Sequence, residues 1–193
     1  MTFTERRWLT AFQSGDQRAF DSLFHEYAGR VQAFARQLTG SRSEAEDLTQ
    51  EVFLSAFRGA ERFRGQSSLL TWLLAIAVRR WRDRQRSPQT PLADYEEILF
   101  APSRASSPAE QAFASISLQG ALRELNPVFR EAFLLVAAQG LTHREAAEVL
   151  ERPLGTVKWQ VAEATKRLRC ALQSQEEIEE KPERKNTKEA THV

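Results

Sequence analysis

The sequence has a single cysteine, few prolines and glycines, and no long hydrophobic run. One cysteine, Cys170, excludes an internal disulfide, and the histidines lie too far apart in the sequence to suggest a zinc site. No run approaches the roughly 18 apolar residues of a membrane span, and the N-terminus lacks the basic-then-apolar order of a secretion signal. We therefore expect no metal, no cofactor and no membrane insertion, and we expect a cytoplasmic location.

Residue patterns that would indicate catalysis are also missing. The sequence contains no glycine-rich phosphate loop and no nucleophile with an evident base. One segment is rich in acids, but helical spacing would place them on different sides of a helix, where water would hydrate them. These acids are Glu44, Glu46, Asp47 and Glu51. The sequence therefore does not favour an enzyme.

Charge is nearly balanced over the chain but unevenly distributed along it. The formal net charge is +1, whereas nucleic-acid-binding domains are usually strongly basic. Between residues 62 and 86, however, Asp83 is the only acid among many arginines, and Arg79, Arg82 and Arg86 recur at i, i+3 and i+7. Such a stripe suits a phosphate backbone, although a solvated face whose arginine stems cover apolar surface would show the same pattern.

Helix formers dominate the sequence. With only eight glycines and seven prolines among 193 residues, the sequence predicts an all-α fold, and its length allows one domain or two small ones. Caps and glycines set the predicted helix limits in the first half. These helices are expected over residues 4–13, from an Asp16 cap to about Leu38, from a Ser43–Glu46 capping box to Gly59, and along LLTWLLAIAVRRWRDRQR.

A capping box in the second half, Thr142 with Glu145, predicts the start of a short helix. That helix must end near Glu151, because Pro153 disfavours helical geometry in the residue before it. Gly155 is then expected to supply the tight turn into another helix. Two short helices joined in this way predict a helix-turn-helix.

The second of these helices is amphipathic. Its apolar stripe can pack on the first helix and consists of Val157, Val161, Ala164 and Leu168. The opposite ridge is the one that enters the major groove in a helix-turn-helix, and it carries Lys158, Trp159, Glu163, Lys166 and Arg169. Periodicity alone does not separate this unit from an amphipathic hairpin in a bundle.

Prolines punctuate residues 87–108, where no long periodic segment is present, so a linker is predicted. Its middle is too apolar for a purely solvated tether and is expected to fold onto a surface. The apolar residues are Tyr95, Ile98, Leu99 and Phe100.

Two helices are predicted before the helix-turn-helix, and a charged tail is predicted after it. One is expected from Pro108 to Leu125, and another, capped by Asn126 and opened by Pro127, reaches Gln139. Past Leu172, dense mixed charge predicts a helix that frays and ends before Pro182, followed by a disordered tail.

Two stretches resemble one protein family in the family's own order. The string GLTHREAAEVL followed by P-x-GTVK resembles the C-terminal promoter-reading domain of bacterial sigma factors, which binds the minus-35 element. The string AEDLTQEVFLSAF, a linker ending in FRG, then SSLLTWLLAIA and a basic tail resemble the promoter-melting domain of the extracytoplasmic-function (ECF) sigma factors. The resemblance spans roughly residues 16–172.

This resemblance implies two small helical domains, a region 2 bundle over residues 1–86 and a region 4 helix-turn-helix over residues 109–173. The linker at 87–108 joins them, and a charged tail follows over residues 174–193. The implied function is promoter-specific transcription initiation, with core RNA polymerase, promoter DNA and an anti-sigma factor as partners. A different class, a DNA-binding regulator that uses only the C-terminal hairpin with an N-terminal oligomerisation bundle, is the alternative.

The same resemblance implies the site residues. Polymerase contact falls on Asp47, Gln50, Glu51 and Phe53. Minus-10 recognition falls on Phe63, Arg64, Gln66, Ser67, Arg79, Arg80, Arg82 and Arg86. Minus-35 recognition falls on Arg144, Thr156, Lys158, Trp159, Gln160, Glu163, Lys166 and Arg167.

The chain departs from the family pattern on the predicted minus-35 ridge and in the basic helix. Trp159 and Glu163 stand where the family often has small or basic residues, so cations that grip phosphate are lost. Glu163 could accept a hydrogen bond from a cytosine amino group, and Trp159 could press on a thymine methyl or anchor a protein partner. Val78 and Arg79 occupy places where the family often has Arg and Asn, which is expected to alter the minus-10 preference.

Overall fold

The computed structural model of the chain describes residues 10, 11, 13, 14, 16–86 and 118–183, without the side chains of Gln17 and residues 174–183. The described residues form helices and turns with no strand, which confirms the all-α prediction. The helices are α1 (Gln17–Thr39), α2 (Arg42–Gly59), a 3-10 turn (Ala60–Arg62), α3 (Leu69–Arg86), α4 (residues 118–124), α5 (Pro127–Phe133), a π-helical turn (Leu134–Ala138), α6 (His143–Leu150) and α7 (Leu154–Glu183).

Helices α1, α2 and α3 form a bundle in the first half of the chain. Asp16 caps α1 by accepting a hydrogen bond from the Arg18 amide at 2.9 Å, as predicted. Gly40 closes α1 in the left-handed conformation at φ 73°, which a residue with a Cβ adopts at a cost. Apolar side chains of the three helices meet in the core, which includes Leu23, Val31, Phe34, Leu38, Leu48, Val52, Leu73 and Leu74.

The cap of α2 lies two residues earlier than predicted. Ser41, rather than Ser43, is the N-cap and accepts a hydrogen bond from the Glu44 amide at 3.4 Å. Ser43 instead lies in the first turn, where its hydroxyl is 3.1 Å from the Ser41 hydroxyl. The prediction was wrong because Gly40 ends α1 so abruptly that the next residue already has the extended backbone of a cap.

The start of α6 agrees with the sequence prediction. The Thr142 amide and hydroxyl donate to the Glu145 carboxylate at 2.8 and 2.7 Å, and the Glu145 amide donates back to the Thr142 hydroxyl at 3.2 Å. This is the predicted capping box. Asn126 likewise caps α5 by accepting from the Val128 amide at 2.9 Å, with Pro127 in the first turn. The π-helical turn that follows α5 has no counterpart in the prediction.

The turn of the helix-turn-helix is made by a different residue from the one predicted. Glu151 takes the left-handed conformation at φ 53° and its amide donates to the carbonyls of Ala147 and Glu148. Gly155 lies inside α7, whose first residue is Leu154. The prediction for Gly155 was wrong because Glu151, Arg152 and Pro153 already complete the reversal.

Helix α7 also continues further than predicted, to Glu183, and thus past Pro182. A proline removes one backbone hydrogen bond, but the preceding run is rich in Glu, Gln and Lys, which are strong helix formers. Several predictions lie outside the described residues: most of the helix over 4–13, the linker over 87–108, the helix before residue 118 and the tail after residue 183.

The two halves of the chain share one hydrophobic core. Buried side chains of α1, α2 and α3 and those of α4 to α7 belong to a single contiguous cluster, and α3 packs directly against α6. Three arginines also donate across the joint to backbone carbonyls: Arg30 to Gln139 at 2.9 Å, Arg130 to Leu38 at 3.1 Å, and Arg123 to Gly40 at 3.0 Å. Each half therefore fixes the position of the other.

The capping box of α6 gives a stability prediction. We expect Thr142→Ala to lower the free energy of unfolding by about 1 kcal/mol at neutral pH, because the Glu145 amide loses its acceptor and the Glu145 carboxylate loses a donor. Hydrogen bonds from Thr142 lower the pKa of Glu145, so the carboxylate's share of this stabilisation is present at neutral pH and is lost as the pH falls through the folded-state pKa. Urea unfolding at neutral and acidic pH measures both effects.

Thr142→Ser is the matched control, because a serine hydroxyl can replace both hydrogen bonds. A Thr142→Ala protein as stable as the parent, or a stability difference that grows on acidification, would contradict the prediction.

Candidate nucleic-acid interface

The outer face of α2 combines acidic and apolar side chains. Asp47 and Gln50 are exposed, as expected for a polymerase contact. Glu51 is half-buried and pairs with Arg84 of α3 at 2.9 Å. Phe53 is buried and therefore lies beneath this face rather than on it.

Three exposed apolar residues adjoin these acids and were missed by the sequence prediction. Leu54 and Phe57 are each 54% exposed. Phe24 of α1, whose spacing with other apolar residues predicted a place in the core, is 41% exposed, so that prediction was wrong. Phe53 supports Phe24 from below in an edge-to-face contact, with ring centroids 4.8 Å apart. Helical spacing carried a signal for two of them, because positions 54 and 57 continue the stripe that contains Asp47 and Gln50.

The segment before α3 holds an aromatic pair. Phe63 is buried and stacks on Trp72, with centroids 4.5 Å apart and planes at 21°. The Gln13 side chain donates to the Phe63 carbonyl at 3.0 Å, and Ser68 caps α3 by accepting from the Thr71 amide at 3.1 Å. Trp72 is thereby held at a fixed angle at the start of α3.

A cavity of about 400 Å³ opens beside this pair. Gln66 and Ser67, which are predicted to read the minus-10 element, line one side of the cavity. Residues of α6, in the other half of the chain, line the opposite side. The lining residues are Gln66, Ser67, Thr71, Trp72, Ala75, Glu148 and Val149. Arg64, the other predicted minus-10 residue in the loop before α3, is exposed but does not line this cavity.

The arginines of α3 do not form one uniform exposed stripe. Arg79, Arg80 and Arg86 are exposed. Arg82 instead turns toward α5, where its Nε and Nη2 donate to the two carboxylate oxygens of Glu131 at 2.7 and 2.6 Å. The sequence pattern on α3 did not show this pairing, because it contains no information about an acid on α5. Arg82 still lines the same cavity as Arg79 and Arg86, and its contact with DNA stays a prediction.

Glu131 is the most deeply buried acid among the described residues and is only 2% exposed. It also accepts from Arg152 Nη2 at 2.9 Å, so one carboxylate joins cations from both halves of the chain. Hydrogen bonding to Glu131 raises the pKa of Arg82, whereas burial lowers the pKa of Arg152. Arginine keeps its proton in proteins, so both remain cations.

Most of the predicted minus-35 residues line the outer side of the helix-turn-helix. Arg144, Lys158, Trp159, Lys166 and Arg167 are exposed, and Thr156 and Glu163 are half-buried. Gln160 differs, because its side chain is buried and accepts from Arg152 Nη1 at 3.2 Å.

Trp159 belongs to a small aromatic and charged unit. It is 59% exposed, and its ring meets Phe129 of α5 edge to face with centroids 5.4 Å apart. The Arg167 guanidinium lies 4.6 Å from the centre of the same Phe129 ring and pairs with Glu163 at 2.8 Å. Phe129 was absent from the predicted site, although it fixes both Trp159 and Arg167. Only its place on an amphipathic helix was visible in the sequence.

No three His, Cys, Asp or Glu side chains in the described parts of the chain come together in a group that could hold a metal ion. Within those same parts, none of the helices combines the length and hydropathy needed to cross a bilayer.

Two segments of the chain match family models. Residues 23–90 match Sigma-70 region 2, and residues 115–168 match Sigma-70, region 4. Over 161 residues the chain is 34% identical to the ECF RNA polymerase sigma factor SigM of Mycobacterium tuberculosis H37Rv, which covers 83% of this chain and 80% of that protein. It is 27% identical to the RNA polymerase sigma-H factor of Pseudomonas aeruginosa, covering 88% and 94% of the two chains.

Solved structures of two similar proteins have the same fold as this chain. The sigma factor RpoE in complex with the anti-sigma factor NepR from Bartonella quintana is 25% identical, with a TM-score of 0.64 over 80% of this chain and 96% of that one. CnrH in complex with the cytosolic domain of CnrY has a TM-score of 0.68 at 22% identity, over 88% and 97% of the chains, and shows the shared fold.

The burial of Glu131 gives a second stability prediction. We expect Glu131→Ala to lower the free energy of unfolding by about 3 kcal/mol, because it leaves two half-buried guanidinium groups without their carboxylate. Glu46→Ala is the matched control, since its pair with Arg42 is 3.0 Å long but exposed, and such pairs contribute less than about 1 kcal/mol. Urea unfolding of both variants measures the contrast, and equal losses would refute it.

Proposed function

The chain belongs to the extracytoplasmic-function group of RNA polymerase sigma factors, and we propose that it binds core polymerase and directs it to specific promoters. The observation that carries this proposal is that one chain combines an acidic and apolar face on α2, an aromatic pocket next to exposed arginines on α3, and a helix-turn-helix ridge on α7. A regulator that uses only the hairpin is not favoured, because region 2 also matches.

Polymerase docks on the face formed by Asp47, Gln50, Leu54 and Phe57. The exposed apolar side chains supply buried area on binding, and the carboxylate and amide fix orientation and select a basic partner. Phe53 contributes from below by holding the aromatic cluster in place. Glu51 reaches the partner only if it exchanges its contact with Arg84.

Promoter opening uses the pocket beside Trp72. Taking a base out of the stack costs a few kcal/mol, and stacking on an aromatic side chain recovers about 1–3 kcal/mol. The Phe63–Trp72 stack fixes this platform, and Arg79, Arg80 and Arg86 supply cations for the phosphates of the captured strand. Capture of melted DNA, rather than any bond-making step, drives opening.

The α6–α7 ridge reads the minus-35 element. Lys158, Lys166 and Arg144 are the exposed cations that contact phosphate, and Trp159 is the large apolar side chain that reaches a base edge. The chain itself performs no covalent chemistry, since RNA synthesis belongs to the polymerase. It acts in the cytoplasm, where its partner works.

The domain limits follow the same assignment: region 2 over residues 1–86, a linker over 87–108, region 4 over 109–173 and a charged tail beyond. An anti-sigma factor restrains the chain before induction. Support comes from the similar sigma factor RpoE, whose solved structure contains the anti-sigma factor NepR.

A transcription assay tests this function directly. Purified chain is added to core polymerase on genomic templates, and transcript 5′ ends are sequenced with and without it. New start sites that share spaced minus-35 and minus-10 sequences are expected. The absence of any new transcript would refute the proposal.

Polymerase docking is tested by Phe57→Ser. Removing the exposed ring loses apolar burial that contributes on the order of 1.5 kcal/mol to binding. The dissociation constant for core polymerase is therefore expected to rise about tenfold. Val128→Ser is the matched control, because Val128 is also an exposed apolar residue but lies on α5. Fluorescence anisotropy with labelled chain and core polymerase measures both. Equal affinities for the two variants would remove Phe57 from the docking face.

The minus-35 ridge is tested by Glu163→Gln. This change removes a carboxylate that pairs with Arg167 at 2.8 Å, so the guanidinium becomes available to phosphate. We expect tighter binding to a minus-35 duplex and a log–log salt slope more negative by about 0.9, which corresponds to one additional phosphate neutralised. Glu124→Gln on α4 removes the same charge away from the ridge and controls for net charge. An unchanged slope for Glu163→Gln would mean that this pair does not face DNA.

A further inference from the structure

Trp159 is the most exposed large apolar side chain in the described parts of the chain, and it lies on the outer ridge of α7. The residue is 59% exposed. Its ring meets Phe129 of α5 edge to face, with centroids 5.4 Å apart and ring planes at 67°. Because aromatic pairs prefer such a geometry, Phe129 fixes the direction of the indole while most of the indole surface stays open.

The polar side chains of this ridge already have partners within the protein. Arg167 donates to the Glu163 carboxylate at 2.8 Å, and its guanidinium lies 4.6 Å from the centre of the Phe129 ring. Gln160 is buried and accepts from Arg152 at 3.2 Å. In the major groove, arginine pairs with guanine, glutamine with adenine and glutamate with cytosine. The side chains suited to these three bases are therefore engaged inside the protein.

Thymine offers a different kind of contact. Its C5 methyl group is the apolar feature that a base pair presents in the major groove. The exposed carbon atoms of an indole make no hydrogen bond to a base edge, but contact with a methyl group removes apolar surface from water on both sides. Trp159 is thus the side chain of this ridge whose chemistry separates thymine from the other bases.

We propose that Trp159 determines one position of the minus-35 element by contact with a thymine methyl group, and that Phe129 is the positioning residue that holds the indole for this contact. The inference rests on the proposed function and adds a base preference to the ridge. A side chain that is held in place before binding loses less rotamer freedom on contact. The preference for thymine therefore depends on Phe129 as well as on Trp159.

Replacement of thymine by deoxyuridine tests the contact, because it removes the methyl group and keeps the base pair. Promoter fragments taken from the start sites of the transcription assay carry deoxyuridine at one thymine at a time, on either strand of the minus-35 element. The chain with core polymerase binds each fragment in competition with the unmodified one. At one position the replacement is expected to raise the dissociation constant about fourfold, the effect of one buried carbon group.

Substitutions connect the methyl effect to the two rings. Trp159→Ala is expected to abolish the preference for thymine over deoxyuridine, and Trp159→Phe, which keeps an aromatic ring, to retain part of it. Phe129→Leu removes the edge-to-face contact and is expected to reduce the preference from about fourfold to less than about twofold. Phe133→Leu makes the same exchange one turn further along α5 and is the matched control, for which the full preference is expected.

The preference is a ratio between fragments that differ only in a methyl group. Contacts with phosphate are the same for both fragments and cancel in it. Release of Arg167 from the ring in Phe129→Leu therefore changes the overall affinity and its salt dependence but leaves this ratio unaffected. Thermal unfolding verifies that each variant is folded.

An unchanged preference in Trp159→Ala, or a minus-35 element in which no thymine responds to loss of its methyl group, would overturn the inference. A full preference in Phe129→Leu would remove the positioning role from Phe129. Weaker binding of Trp159→Ala to core polymerase without DNA, together with an unchanged preference, would assign the indole to a protein contact instead. A parent chain that starts no transcription with core polymerase would overturn the proposed function and this inference with it, whereas a transcribing chain without a methyl-sensitive position would overturn this inference alone.

Discussion

The carboxylate of Glu131, buried between Arg82 and Arg152, is the interaction on which the arrangement of the two halves depends. A buried ion pair is a poor source of net stability, because desolvation of the charges offsets most of their attraction. Its effect is on geometry. Two hydrogen bonds from one guanidinium to one carboxylate fix distance and angle together, so α3 can meet the C-terminal half in only one register. The hydrophobic core then fills around that register.

That register also sets charged and aromatic side chains of the two halves against each other. It pairs Arg82 with Glu131, and it sets α6 beside Trp72. The same contacts that complete the core therefore place an acidic helix over a basic face.

Local features were predictable from the sequence because local chemistry determines them. The Thr142–Glu145 capping box, the Asp16 cap and the glycine end of α1 each depend on residues within one helical turn. The predictions for Ser43 and Gly155 were wrong because Ser41 and Glu151, which lie nearby, take those roles and the loop geometry chose between the candidates. Contacts between distant segments were not predictable. Neither Arg82 nor Glu131 shows its partner in the sequence, and Phe129 gives no sign that it carries Trp159 and Arg167.

The exposed ridge on α7, which we propose reads the minus-35 element, has part of its charge balanced within the protein. Glu163 neutralises Arg167, and Phe129 holds the guanidinium against its ring, so a cation near the groove is already satisfied within the protein. Trp159 adds contact area without charge. Such a ridge gains discrimination between bases more than general attraction to phosphate. Because the whole chain carries a net charge of only +1, its general attraction to DNA is weak, and we propose that the ridge selects among sites to which the polymerase brings the chain.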